Sequence, residues 1–162
     1  MRLLLISDTH GRTSALEALL IQYAFEVDLV CHMGDHAKDM LKFQSKYPSL
    51  QMVVVAGNCD YEHGLFSEQI INIGNKRILI THGHFQNVKS NLQNLVYYAQ
   101  EKNVDGCFFG HTHQPICDRI NEIFIINPGS LTEPRGGVKR PSYGIVNIDE
   151  DTGEIKGEII NI

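Results

Sequence analysis

Short apolar runs recur along the chain at 2 to 7 (RLLLIS), 28 to 33 (DLVCHM), 51 to 56 (QMVVVA), 76 to 81 (KRILIT) and 105 to 109 (DGCFF). Rich in Val, Ile and Leu, they predict buried strands. Between the first two, SALEALLIQYAF places Leu16, Leu19, Leu20, Tyr23 and Ala24 on one helical face, with Ser14 and Glu17 spaced as a capping box. This predicts an amphipathic helix. A second helix is expected over 88 to 102, with Val88, Leu92, Leu95, Val96 and Ala99 on one face, and a third over 38 to 47, stopping before Pro48. Strand and helix alternate, which implies right-handed βαβ crossovers.

The second half has a different pattern. QIINIGNKRILIT carries a Gly-Asn turn between two apolar runs, while PICDRINEIFIIN and SYGIVNIDEDTGEIKGEIINI predict hairpins turning at Asn121 and at Asp151 to Gly153. No internal repeat, low-complexity tract or linker marks a boundary. The expectation is one α/β domain over residues 1–162, with mixed sheet structure, two sheets face to face and helices outside.

Composition agrees with that picture and narrows the setting. The chain has 162 residues, 43% hydrophobic and 20% charged, which suits a single hydrophobic core. The apolar run before Asp8 is too short for a signal peptide or a membrane span, so a cytoplasmic protein with no membrane association is expected. Cys31, Cys59, Cys107 and Cys117 form no CxxC pair, and reduced, mostly buried thiols are expected. A formal charge of −5 argues against a general nucleic-acid surface. It also raises a difficulty for any anionic substrate.

Polar residues follow the buried strands in a repeated way. Asp8 and His10 come after the first, Gly34 and Asp35 after the second, Gly57 and Asn58 after the third, His82 and His84 after RILIT, and His111 and His113 after CFF. Any one of these reads equally well as a turn, cap or satisfied core residue. Together, in the crevice beyond the carboxyl ends of the strands, they would be costly without ligands, so they point to a metal site. If residues 111 to 113 are extended, His111 and His113 face one side and Thr112 the other. Oxygen and imidazole donors without thiolate suit Mn²⁺, Fe²⁺, Co²⁺, Ni²⁺ or Zn²⁺. Two carboxylates, one amide and four histidines exceed one ion and suffice for two with a bridging carboxylate. Two ions about 3.5 to 4 Å apart can hold a bridging hydroxide and clamp a phosphoryl group. Their charge offsets the negative balance of the chain locally.

The series DTH at 8 to 10, GD at 34 to 35, GN at 57 to 58, HG at 82 to 83 and GHTH at 110 to 113 resembles the calcineurin-like metallophosphoesterase superfamily. GNCD, THGH and NPGS, with the short length, are most similar to its small YfcE-type phosphodiesterases. The resemblance implies a four-layer αββα sandwich and a dinuclear centre, active with Mn²⁺ or Ni²⁺ on phosphodiester bonds by attack of a metal-bridging hydroxide. It implies Asp8, His10, Asp35 and His113 on one ion, and Asp35, Asn58, His82 and His111 on the other, with Asn58 also stabilising charge in catalysis. Larger members place histidine after Gly-Asn as the leaving-group acid, where this chain has Cys59, so His84 is a candidate for part of that role. Its competing reading is a surface histidine or one supporting the ligands.

Weaker candidates complete the set. Arg135, Lys139 and Arg140, around a Gly-Gly in PRGGVKRP, are candidates for a substrate phosphate, although solvated loop residues of this kind are commoner. NPGS is expected to make a tight turn centred on Pro128 and Gly129, with a purely structural role preferred over Asn127 orienting a ligand or a water. The expected ligand is a small phosphodiester. The C-terminal hairpin strands could pair in a homodimer or higher homo-oligomer, or stay free. The alternatives are a phosphomonoesterase, or an interaction scaffold of the same fold like the retromer small subunit.

Overall fold

The computed structural model describes the whole chain except residues 62 and 138. Its first sheet is built from β1 (Arg2–Ile6), β2 (Leu29–His32), β3 (Gln51–Val54), β9 (Ser142–Ile148) and β10 (Ile155–Asn161), in the order β10-β9-β1-β2-β3. The second is built from β4 (Glu68–Ile73), β5 (Lys76–Thr81), β6 (Gly106–Phe108), β7 (Ile116–Ile120) and β8 (Ile123–Asn127), in the order β4-β5-β6-β8-β7. Both are mixed: the first has parallel β1, β2 and β3 running out to one edge and the antiparallel β9–β10 hairpin at the other, and the second has parallel β5, β6 and β8 between two antiparallel hairpins.

The two-residue alternation of β1 shows how the layers arise. Leu3 and Leu5 point between the sheets, where they meet Ile78, Ile80, Phe108 and Ile126. Leu4 and Ile6 point outward, onto Leu16, Leu20 and Tyr23 of α1 (Thr13–Tyr23) and Met40 of α2 (Ala37–Leu41). On the far face of the second sheet, Leu79, Cys107 and Ile125 receive Leu95, Val96 and Ala99 of α3 (Gln93–Glu101). Strands apolar on both faces are therefore covered on both faces, and the chain forms the expected four layers, helix, sheet, sheet, helix.

Several local expectations need correction. The Ser14–Glu17 capping box does not form: the helix starts at Thr13 with Arg12 as its cap, no side chain caps it, and Glu17 pairs with Lys46 instead. With the helix beginning at Thr13, Ser14 is a helical residue and is not at the position from which it could cap. The 88–102 helix is shorter, since residues 83 to 91 form irregular turns that bury Val88 outside the helix. The 38–47 helix is a five-residue helix followed by turns. Of the four thiols, Cys31 and Cys107 are buried and Cys59 and Cys117 exposed, so burial is not the general state expected. The hairpin predictions hold: Asn121 and Glu122 both take positive φ, as a two-residue turn matching the strand twist requires. Among the described residues no helix is long and apolar enough to cross a membrane.

Candidate metal centre

All the predicted ligand-bearing segments leave the carboxyl ends of parallel strands at one edge of the sandwich. Asp8 and His10 follow β1, Asp35 follows β2, Asn58 follows β3, His82 follows β5, and His111 and His113 follow β6. Strand ends align because the strands are parallel and in register, so residues a hundred positions apart become neighbours. Two groups of ligand atoms result, each within 4.8 Å of one another: Asp8, His10, Asp35 and His113, and Asp35, His82 and His111. Asp35 belongs to both.

The GHTH segment is not extended, and it reaches this arrangement by another route. β6 ends at Phe108, and His111 and His113 both take left-handed backbone angles, φ 66° and 57°. Asp8, His10 and Asp35 do the same. A left-handed non-glycine residue costs about 1 kcal/mol, and concentrating five of them on ligand positions indicates that the loops are shaped for the cluster. The two histidines still reach different groups. Thr112 turns away, its hydroxyl accepting from Asn127 Nδ2 at 3.0 Å.

Backbone supports aim each side chain. Asp8 is fully buried, and its Oδ2 accepts from Ser7 Oγ at 2.5 Å and from the His111 amide at 3.1 Å. Its Oδ1 has no hydrogen-bond partner although His113 Nε2 lies 3.1 Å away. The proximity and the absent bond agree once both atoms are seen to point at a common third position. His113 Nδ1–H donates to the Glu133 carbonyl at 2.7 Å, and His82 Nδ1–H donates to the Met33 carbonyl at 2.6 Å. Each donation directs the Nε2 lone pair into the centre. His10 Nε2 lies 3.2 Å from His113 Nε2, and His82 Nε2 lies 3.1 Å from His111 Nδ1. Imidazole nitrogens converging this closely, beside an orphaned buried carboxylate oxygen, fit cations with nitrogen and oxygen ligands.

Close backbone approach makes room for Asp35. Gly34, at φ +88°, faces Gly57: a Cβ on Gly34 would sit 2.6 Å from the Gly57 nitrogen and 2.9 Å from His82 Nδ1. Asp35 Oδ1 accepts from the Cys59 amide at 3.0 Å and lies 3.3 Å from His82 Nε2. Burial alone would push the Asp35 carboxyl up, but hydrogen bonding to His82, that ring's charge and the Cys59 amide hold it well below the carboxylate range. Burial likewise opposes charge on His82, yet hydrogen bonding to Asp35 and the field of Asp8 raise its pKa. A proton and a cation thus compete for the same lone pair. His111 is lowered to about 4, by burial, then by the charges of His82 and Lys89.

Other candidates lie at the rim. Asn58 is exposed, its amide donating to Cys59 Sγ at 3.4 Å. The Cys59 thiol is raised to about 11, by burial and then by Asp35, and so holds its proton at neutral pH. The His84 ring lies tilted at 5.3 Å from the His82 ring and edge-on at 6.1 Å from the His111 ring, with its pKa lowered by burial and by His82. Arg135 touches the site through its backbone, donating to the His113 carbonyl at 2.9 Å; its side chain is exposed near Glu133. Lys139 and Arg140 are exposed farther along the loop, beyond residue 138, which lies outside the described residues.

Some supporting residues escaped the sequence reading. Ser130 Oγ donates to the Asp8 carbonyl at 2.7 Å and accepts the Glu133 amide at 2.9 Å. Asp60 accepts from the Gly57 and Ala37 amides, both at 2.8 Å, tying the Asn58 loop to the Asp35 loop. Asp39 does so for Thr9 and Gly11 around His10. The signal was faint: an acid or hydroxyl in a loop names no partner until the fold supplies one.

A four-layer α/β sandwich that gathers imidazoles and carboxylates at one strand edge defines the class of metal-dependent phosphoesterases. The chain belongs to the calcineurin-like phosphoesterase superfamily, whose domain model matches residues 1–151. It is 35% identical to the probable metallophosphoesterase YsnB of Bacillus subtilis, covering 96% of this chain and 89% of that one. It is 28% identical to the phosphodiesterase YfcE of Escherichia coli K12, covering 92% and 89%. Among solved structures, a predicted phosphoesterase from Streptococcus pneumoniae TIGR4 superposes with TM-score 0.82 at 31% identity over 99% of this chain and 88% of that one. Vps29 of Entamoeba histolytica, solved with Zn²⁺, superposes with TM-score 0.79 at 24% identity over 99% of both chains, a likeness of fold alone.

Proposed function

We propose that this chain is a phosphodiesterase with a dinuclear centre. The observation that supports this most is the sharing of Asp35 by two ligand groups, each able to hold one cation. Mn²⁺ is the proposed resident, on donor chemistry. Bound ions would supply Lewis acidity and an activated water to an in-line displacement at phosphorus. The chain's own part is positional. Asp35 keeps the two groups at fixed separation, and Ser7, Ser130 and the His111 amide hold Asp8 so that its free oxygen faces inward. Asn58, at the open rim, is placed to donate its amide to a phosphoryl oxygen once turned from Cys59. His84 is the proposed proton donor at the leaving-group side; burial and the charge of His82 lower its pKa and cut its protonated share at neutral pH, so its part in that step is a partial one. Cys59 holds its proton too firmly for that task.

The name and identity of YfcE support diester specificity, and Asp8, Asp35 and the four histidines, all competent, favour catalysis over a scaffold role. The test is metal analysis with hydrolysis of bis(p-nitrophenyl) phosphate and p-nitrophenyl phosphate. We expect about two ions per chain and faster diester turnover; absence of both would establish the scaffold reading. For His84→Ala, a larger loss on esters of poor leaving groups than of good ones is expected, and equal losses would remove it as an acid.

A further inference from the structure

Thr9, His32 and Asp39 are fully buried polar residues that have no part in the reaction outlined above. They are joined in one string. The Gly34 amide donates to His32 Nδ1 at 3.3 Å, His32 Nε2 lies 3.3 Å from Thr9 Oγ1, and Thr9 Oγ1 donates to Asp39 Oδ2 at 2.9 Å. Asp39 Oδ2 also accepts the Gly11 amide at 2.8 Å, and its Oδ1 accepts from Lys42 Nζ at 3.3 Å.

The direction of every bond follows from the two ends. A backbone N–H only donates, so His32 Nδ1 accepts, and a neutral ring then carries its proton on Nε2. That proton goes to Thr9, whose own proton is left for Asp39. Burial keeps His32 neutral, lowering its pKa to about 4. One tautomer and one hydroxyl orientation satisfy the whole string, which makes it a rigid connection.

What it connects is specific. Gly34 precedes Asp35, Thr9 lies between Asp8 and His10, and Gly11 follows His10. His10 depends on it most. His82 and His113 are each aimed by an Nδ1–H bond to a carbonyl, whereas His10 Nδ1 makes no such bond among the described residues. Its aim is set through its backbone, at a left-handed φ of 46°, between two residues that bond to Asp39.

Resting on the two-ion reading, we propose that the His32–Thr9–Asp39 string is a positioning device that aims His10, and sets its distance from Asp35, so that the first ligand group takes its ion. The second group gains little from it, because His82 is held by Met33 and His111 by the Asp8 side chain.

The experiment is Mn²⁺ titration by calorimetry of metal-free proteins whose folding is checked by circular dichroism. His10→Ala identifies the binding step of the first group. Thr9→Val, of nearly the same shape but without the hydroxyl, should weaken that step about ten- to a hundredfold and leave the other as in the parent. Thr9→Ser, which keeps the hydroxyl, should bind as the parent does. In a His10→Ala background Thr9→Val should cause no further loss, a coupling that general loosening of the fold would not reproduce. His32→Asn, able to accept from Gly34 but too short for Thr9, breaks the string at another link and should repeat the effect of Thr9→Val. Equal weakening of both steps, no weakening, or a Thr9→Ser protein as impaired as Thr9→Val overturns the assignment, and so does failure of both Thr9→Val and His32→Asn to fold. A parent that takes up no Mn²⁺ refutes the metal reading and the string with it; a parent that binds Mn²⁺ beside unaffected variants refutes the string alone.

Discussion

Gly57→Ala places a methyl group against the carboxylate that both ligand groups share. The added Cβ would lie 2.2 Å from Asp35 Oδ1, 2.5 Å from the Asp35 nitrogen and 3.0 Å from its Cγ. Ordinary contact is about 3.5 Å, so Asp35 must retreat by roughly 1 Å. Rotating the side chain does not relieve the clash, because one of the atoms is backbone. Gly57 does not have a positive φ, so the effect is steric and not conformational. Overpacking of this kind costs about 1 to 3 kcal/mol, a fall in Tm of about 2 to 12 °C for a chain of this size. Displacing a ligand by that distance should weaken metal binding by at least tenfold. Gly137→Ala is the control, since its Cβ meets nothing within 4 Å. Thermal melts with and without Mn²⁺, and Mn²⁺ titration of both variants, give the two readouts. If Gly57→Ala melts within about 1 °C of the control and binds Mn²⁺ as tightly as the parent, the Gly34–Gly57 approach is not what positions Asp35.

His32, fully buried, is lowered to about 4 by desolvation, with Asp8, Asp60 and Asp39 pulling partly the other way. Its folded-state pKa is below its unfolded value of 6.5, so the unfolded chain binds the proton first and stability falls as pH drops through that window, by up to about 3 kcal/mol near pH 4. Urea unfolding between pH 7 and 4 should show a shallower decline for His32→Gln; an unchanged decline assigns the acid sensitivity elsewhere. Asn127→Ala removes bonds to Gly110 O at 2.7 Å, Thr112 Oγ1 at 3.0 Å and from the Gly129 amide at 2.9 Å. With these groups buried, the loss should be about 2 to 4 kcal/mol in urea melts, with turnover reduced through the loosened GHTH loop; a cost under about 1 kcal/mol would show the turn to be held by other contacts.

The hydrophobic pattern was enough to place every strand that carries a ligand, because strands buried on both faces read as apolar runs and their ends are marked by the first polar residues. Position within the site was less legible. Alternation gives His111 and His113 a common side only if the segment is extended, and the loop instead uses left-handed angles, which interactions with Asp8, Glu133 and Asn127 sustain. The Ser14 capping box failed because the helix starts one residue earlier than the motif requires, which puts Ser14 inside it.

By itself the sequence determined the apolar layers, the hairpin turns and the residue types at the strand ends, because burial period and turn chemistry are local properties. Only the tertiary structure decided how near the two ligand groups lie to Asp35, that Asp8 keeps one oxygen free, and that His32, Thr9 and Asp39 join in one string. Those facts are distances between segments far apart in the chain, set by strand register and by the glycine-to-glycine approach of loops, and no local pattern encodes a distance of that kind.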